Sequence, residues 1–295
     1  MIYNAAAALL RAEGNSQVTF HSVAVATVIN VILDVLFIVH LGWGVKGGAA
    51  ATVIAQFVSM VIALVPLFKS KIFTWDLSYW RLEASLLKQM INLWLPMFVN
   101  SAVITIGGSF VSRNVNAIGP YFTAGISSGT KIFTMLESLI MAIQTGLSVF
   151  IGQNLGAGLK DRVKRGQHQV VLFGLTLAFV LNILVQSLAP VLVGMFLSPS
   201  DPLYAQTLHV AVADVRVITL GMFIMAPMYL YRIAIQTLGH PKYPMYAGFL
   251  QLLARVFSVS VLPVFIGEYG YYVATVLAWV ITLPVVMIPY YRYLK

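Results

Sequence analysis

The sequence has no cysteine and very little charge. The first absence removes disulfides and thiol chemistry and does not help to choose a compartment. The second is more decisive. Only 9% of the 295 residues are Asp, Glu, Lys or Arg, whereas a soluble domain carries roughly 25%, so no extensive water-facing surface can be built from this chain. Acids are scarcest of all, nine in total, and most stand in short polar gaps between long apolar runs. Asp34 and Glu137 are read as the two that fall well inside such runs.

What is present is hydrophobic length, since 60% of the residues are apolar. A membrane span needs about 20 apolar residues at ~1.5 Å rise, because every backbone N–H and C=O must be satisfied within the helix once water is gone. Eight runs qualify, roughly 18–39, 46–68, 89–112, 118–151, 169–197, 207–237, 243–266 and 270–291. The fourth is too long for one straight span and contains Gly125, Gly129, Gly146 and Gly152, which predicts a kink or an overhang. Residues 1–10 are apolar but too short to cross, and Arg11 follows them where a signal peptide would have its charge in front. The fold class expected is therefore an all-α polytopic membrane protein with about eight transmembrane helices and the end of a ninth.

The net charge of +9 taken alone suggests nucleic acid, but its distribution points elsewhere. If the eight runs alternate across a bilayer, one side receives Arg11, Lys69, Lys71, Arg81, Lys88, Lys160, Arg162, Lys164, Arg165, Arg232, Lys242, Arg292 and Lys295, thirteen of the eighteen basic residues. The other side receives Lys46 and Arg113, while Lys131, Arg216 and Arg255 lie within or near runs. Cytoplasmic loops collect Lys and Arg, so the first side is predicted to be cytoplasmic, with the C-terminus on it. No basic stripe or aromatic platform accompanies the charge, which argues against nucleic acid.

An internal repeat is visible. Gly44, Gly47, Ala51, Thr52, Val53 and Ala55 reappear as Gly267, Gly270, Ala274, Thr275, Val276 and Ala278, and Gly14 before one run matches Gly239 before another. Small residues at this spacing let helices approach closely, so a single copy is explained by packing. Two copies with the same Ala-Thr-Val and equivalent flanking runs indicate duplication. Both copies have the same orientation, so the repeat is of the parallel kind. If the second unit covers 87–295 with six spans, residues 1–68 match its last three, with 69–86 as a cytoplasmic linker. The expectation is a complete second six-helix bundle, a partial first bundle, and an N-terminally truncated version of a twelve-span protein.

Four segments then carry a family likeness: L-R-A-E-G-N-S-Q at 10–17, N-V-I-L-D at 30–34, G-V-K-G-G-A-A-A-T-V-I-A-Q at 44–56 and G-Q-N-L-G-A-G at 152–158. In this order, with these runs between them, the chain resembles the MATE (multidrug and toxic compound extrusion) family. The resemblance implies two six-helix bundles around a cleft that opens alternately to each side. It also implies export of organic, often cationic, drugs in exchange for H⁺ or Na⁺, with no other cofactor and no bound metal.

A carboxylate in hydrocarbon costs at least ~2.5 kcal/mol, so an intramembrane acid is a functional candidate by default. Protonation turns it from charged acceptor into neutral donor and can bias one of two helix packings. Asp34 is the first candidate. Asn30 lies one turn before it on the same face, the pair resembles the MATE polar site, and Thr52 matches a hydroxyl of that network. Helix-helix hydrogen bonding without a coupling role remains the alternative for Asn30 and Thr52. The proline often found after this aspartate in the family is Val35 here, and the repeat places Arg255 and Val259 where Asn30 and Asp34 stand. Glu137 is a candidate cation or proton site in the second bundle, or an acid high enough to meet water.

One pattern imitates catalysis. Gly125-Ile126-Ser127-Ser128-Gly129 fits G-x-S-x-G, but no strand precedes it, and no histidine is expected at comparable depth, with His168 assigned to a loop. An enzyme is not expected. The chain reads as a secondary antiporter of organic cations or drugs in the plasma (inner) membrane, monomeric, with the lipid bilayer and a small amphiphilic substrate as its partners. Flipping of a lipid-linked saccharide by a relative of similar architecture, and a non-transporting truncated remnant, are the alternatives.

Overall fold

A computed structural model describes residues 2–70 and 83–294. Among the described residues every regular element is helical: α1 (Ile2–Ala12), α2 (Ser16–Asp34) continued by a π-helical stretch (Val35–His40), α3 (Gly44–Lys69), α4 (Ala84–Asn116), α5 (Pro120–Gly156), α6 (Lys160–Gly194), α7 (Tyr204–Leu220), α8 (Met222–Thr237), α9 (Lys242–Ile266) and α10 (Tyr269–Tyr293). Among the described residues seven helices are long and apolar enough to cross a membrane, and the bent pair α7–α8 makes an eighth if it is counted as one broken span. The chain divides into two compact units, Met1–Ala84 and Ser85–Lys295. Most of the expected linker at 69–86, with Lys71, Asp76 and Arg81, lies outside the described residues.

In the first unit, Asn15 caps α2 by accepting from the Val18 amide at 3.4 Å, as a short polar side chain at that position should. The short α1 packs Ala6 and Leu10 against Ala63 and Leu67 of α3. The Ser70 hydroxyl, just past α3, donates to Glu13 Oε1 at 2.5 Å and ties the two helix ends. Large apolar side chains such as Phe20, Val28, Ile32, Val53 and Phe57 face outward. Such a surface suits lipid, where water would penalise it.

The largest hydrophobic cluster of the second unit draws on α5, α6, α8, α9 and α10, including Phe133, Ile140, Met222, Met225, Met228, Trp279 and Tyr290, and smaller clusters bring in α7 and α4. Of the kink or overhang expected for the fourth run, the length of the helix gives the overhang. The segment forms one uninterrupted helix, α5, whose 37 residues reach about 55 Å at 1.5 Å per residue, so it overhangs any bilayer. Two of its glycines serve close contact. A Cβ on Gly125 would stand 2.6 Å from Val210 Cγ1, and one on Gly129 would stand 2.5 Å from Asp214 Oδ2, so both allow α7 to lie close.

The break falls in the sixth run, where α7 and α8 meet at Gly221 with a bend of 50°. An interrupted helix leaves carbonyls without their usual donors, and in hydrocarbon these must be satisfied by side chains. One polar residue of α6 does this at Thr219, and a second braces the same turn at Arg216. Asn182 Nδ2 donates to the Thr219 carbonyl at 2.5 Å and Gln186 Nε2 donates to the Arg216 carbonyl at 3.0 Å, while Arg216 Nη2 donates back to the Gln186 carbonyl at 3.1 Å.

The repeat is also a structural one. Gly14 and Gly239 both have φ of 88°, and Gly44 and Gly267 have 55° and 59°, backbone that glycine adopts without penalty. Ala51, Ala274 and Ala278 are fully buried, and Ala55 is nearly so. Gly47 and Gly270 each lie hard against the preceding helical segment, a Cβ meeting Phe37 Cβ at 3.0 Å in one copy and the Pro263 nitrogen at 2.5 Å in the other. The hairpins α2–α3 and α9–α10 are thus two versions of one local structure.

Candidate functional site

Asn30 and Thr52 line one cavity of the first unit, of about 320 Å³, together with Tyr3, Asn4, Thr27, Gln56 and Ser59. The Asn30 amide nitrogen is buried in it without a hydrogen-bond partner. Thr52 is exposed toward the cavity but donates to the Gly48 carbonyl of its own helix at 2.9 Å. Asp34 is half-buried beside Gly48, where a Cβ would stand 3.8 Å from its Oδ1, and it is not one of the cavity-lining residues. No hydrogen bond joins Asp34, Asn30 and Thr52 among the described residues. The helix register changes immediately after Asp34. The π-helical stretch begins at Val35, the position where the resemblance expects proline, and the Leu41 amide bonds the Leu36 carbonyl five residues back at 3.0 Å. Such insertions occur frequently at functional sites.

The second unit holds a larger cavity, of about 530 Å³, walled by α4, α5, α7, α8, α9 and α10. Glu137 lines it and accepts a hydrogen bond from the Tyr229 hydroxyl at 2.6 Å. Asp214 and Arg255 line it as well, with Ser127, Thr130 and Thr275 as uncharged polar groups and Phe133, Tyr272 and Trp279 as aromatic ones. Phe133 and Trp279 stack with centroids 5.7 Å apart. The repeat continues into these walls: Asn30 and Thr52 line the first cavity, and their counterparts Arg255 and Thr275 line the second.

Three sequence-based assignments need correction. Asp214 is a third intramembrane acid, 6% exposed in the body of α7. Arg232 is not a solvated loop charge: it is 8% exposed on α8, donates to Gln251 Oε1 of α9 at 3.0 Å and sits 5.7 Å from the Tyr229 ring centre. His168 is not in a loop but on α6, which starts eight residues earlier at Lys160. Asp214, Arg232 and Arg255 were all detectable as isolated charges inside long apolar runs. What the sequence does not show is that the first and third meet in one cavity. The G-x-S-x-G stretch is helical throughout, inside α5.

A family model described as MatE matches residues 96–260, more than half of the chain. The chain belongs to the MatE family. Its MatE relatives include the probable multidrug resistance protein YoeA of Bacillus subtilis strain 168, 27% identical over 215 residues that cover 69% of this chain and 46% of YoeA. Another is the probable multidrug resistance protein NorM of Thermotoga maritima, 21% identical over 280 residues that cover 88% of this chain and 58% of NorM. Thus the chain spans about half the length of these curated MatE relatives. Among solved structures, a mutant of the Vibrio cholerae MATE transporter VcmN superposes with a TM-score of 0.89 at 18% identity, covering 99% of this chain and 66% of that one. An outward-facing MATE transporter of the MOP superfamily superposes with a TM-score of 0.90 at 17% identity, covering 99% and 65%. These matches carry the MATE fold, and the MatE family is one of transporters rather than enzymes.

Proposed function

We propose that this MatE-family chain takes part in secondary active export of organic cations and related amphiphiles in exchange for H⁺ or Na⁺. The observation that carries the reading is the cavity of about 530 Å³ within a membrane-spanning bundle, lined by ionisable and aromatic side chains. Drug-sized ligands need a hollow of this order, mostly apolar with a few polar groups, and charges are kept in hydrocarbon only where they face a wet or ligand-filled space. The names of the curated relatives, which include multidrug resistance proteins, support the same reading.

In this scheme Asp34 is the coupling acid, with Asn30 and Thr52 as its polar surroundings, and Glu137 is a second site for a cation or proton. Protonating an acid at a helix-helix contact changes the bonds available to it and so favours one of two packings. For Asp34 the contact is with Gly48 of α3, and the π-helical stretch behind it is the element whose register can change. The chain acts as a monomer in the plasma membrane, with Arg11, Lys160, Arg162, Lys164 and Arg165 on the cytoplasmic side.

The test is efflux of ethidium and norfloxacin from a pump-deficient host expressing the gene, with Asp34→Asn and Glu137→Gln beside the wild type. Loss of gradient-driven efflux in Asp34→Asn at equal membrane abundance is expected. Efflux unchanged in Asp34→Asn removes that residue from the mechanism, and no efflux from the wild type overturns the reading.

A further inference from the structure

The large cavity has two chemically different ends. Asp214 lies at Gly129, and Glu137 stands eight residues farther along α5, which is about 12 Å at 1.5 Å per residue. At the Glu137 end the carboxylate is engaged by the Tyr229 hydroxyl. Two guanidinium groups gather there, Arg255 on the cavity wall and Arg232 over the Tyr229 ring. Arg232 is bonded to Gln251, one turn before Arg255 on α9. Arg255 has no such partner. Its Nε is buried and unbonded, and the one ion pair within 4.0 Å among the described residues is Lys164–Asp161, elsewhere. Between the two ends the wall is aromatic, with Phe133 stacked on Trp279.

The Glu137 carboxylate attracts Arg255 from a distance but makes no ion pair with it within 4.0 Å, so the fork lacks a direct acceptor. A guanidinium left so is costly in an apolar setting, and an arginine fork matches a carboxylate or phosphate in geometry. Nor does the fold require a charge at this position, since the repeat puts Asn30 there in the first unit. We propose that the second-unit cavity selects zwitterionic aromatic substrates, with an anionic group held by Arg255, a flat body beside Phe133 and Trp279, and a cationic amine toward Asp214. This rests on the transport reading above and narrows its substrate class.

Equilibrium binding to the purified 295-residue chain tests it with three probes. Norfloxacin carries a carboxylate and an amine at opposite ends of a flat aromatic body, its ethyl ester lacks the carboxylate, and ethidium is a permanent cation. Norfloxacin should bind at least about tenfold more tightly than its ester, the scale of one charge-assisted hydrogen bond. Arg255→Gln should abolish that preference while tightening ethidium by a few-fold, because a repelling cation is gone. Arg255→Lys, which keeps the charge and loses the fork, should fall between. If Arg255→Gln shifts norfloxacin and ethidium in the same direction, or neither, or if acid and ester bind the wild type alike, the proposal is overturned while the transport reading stands. If the wild type binds none of the three, the transport reading fails and this inference with it.

Discussion

The Tyr229 hydroxyl on α8 donates to Glu137 on α5 at 2.6 Å, a bond between residues 92 apart in sequence that fixes the acid at the cavity wall. Removing the hydroxyl by Tyr229→Phe leaves Glu137 without that donor. Hydrogen bonds between membrane helices average ~0.6 kcal/mol and reach ~1.7, so a loss of about 1 kcal/mol is expected in thermal unfolding in detergent. In a double-mutant cycle with Glu137→Gln the two losses should not add. Full additivity would mean that the pair does not act as a unit.

Close approach of α5 and α7 depends on glycine at one place in particular. Gly129→Ala would put a methyl 2.5 Å from Asp214 Oδ2 and 3.3 Å from the Ala211 carbonyl, overpacking that costs about 1–3 kcal/mol. Gly146 on the same helix has nothing within 4 Å of the added carbon. Gly146→Ala should therefore stabilise by up to ~1 kcal/mol through helix propensity. Opposite signs in the two melting shifts are the expected result.

Gly44 and Gly267, the first glycines of the two repeat copies, have φ of 55° and 59°, and a Cβ at either meets nothing within 4 Å. Alanine at each position therefore pays for backbone alone, about 1–3 kcal/mol. Similar losses in unfolding free energy for Gly44→Ala and Gly267→Ala would follow from their shared local structure. A neutral effect at either would contradict it.

Gln251 is the oxygen acceptor of Arg232 within the bundle, at 3.0 Å and with both residues buried, beside the weaker sulfur acceptor Met228 Sδ at 3.9 Å. Replacing it by leucine strands a buried charge and should cost about 1.5–3 kcal/mol. Replacing both, as Arg232→Met with Gln251→Leu, should recover much of that loss, because apolar pairs often match buried polar ones in stability. Denaturation of the two variants side by side gives the comparison, and a double variant weaker than Gln251→Leu alone would refute the assignment.

The membrane class and nearly every helix follow from the sequence alone, because transfer of apolar residues into hydrocarbon is a local property that accumulates run by run. The repeat was equally plain, since left-handed backbone and close helix crossings demand glycine or alanine at fixed positions, and Gly44, Gly47 and Ala51 match Gly267, Gly270 and Ala274. Tertiary structure decided the rest. Gly125 and Gly129 proved to be contact points, and the break fell at Gly221, where Asn182 of α6 satisfies a freed carbonyl. Arg232 was drawn inside by Gln251, and Asp214, Glu137 and Arg255 were brought to one cavity from three helices. A charge in an apolar run announces that it needs a partner, but which partner depends on packing between segments far apart in sequence, and no local pattern encodes that.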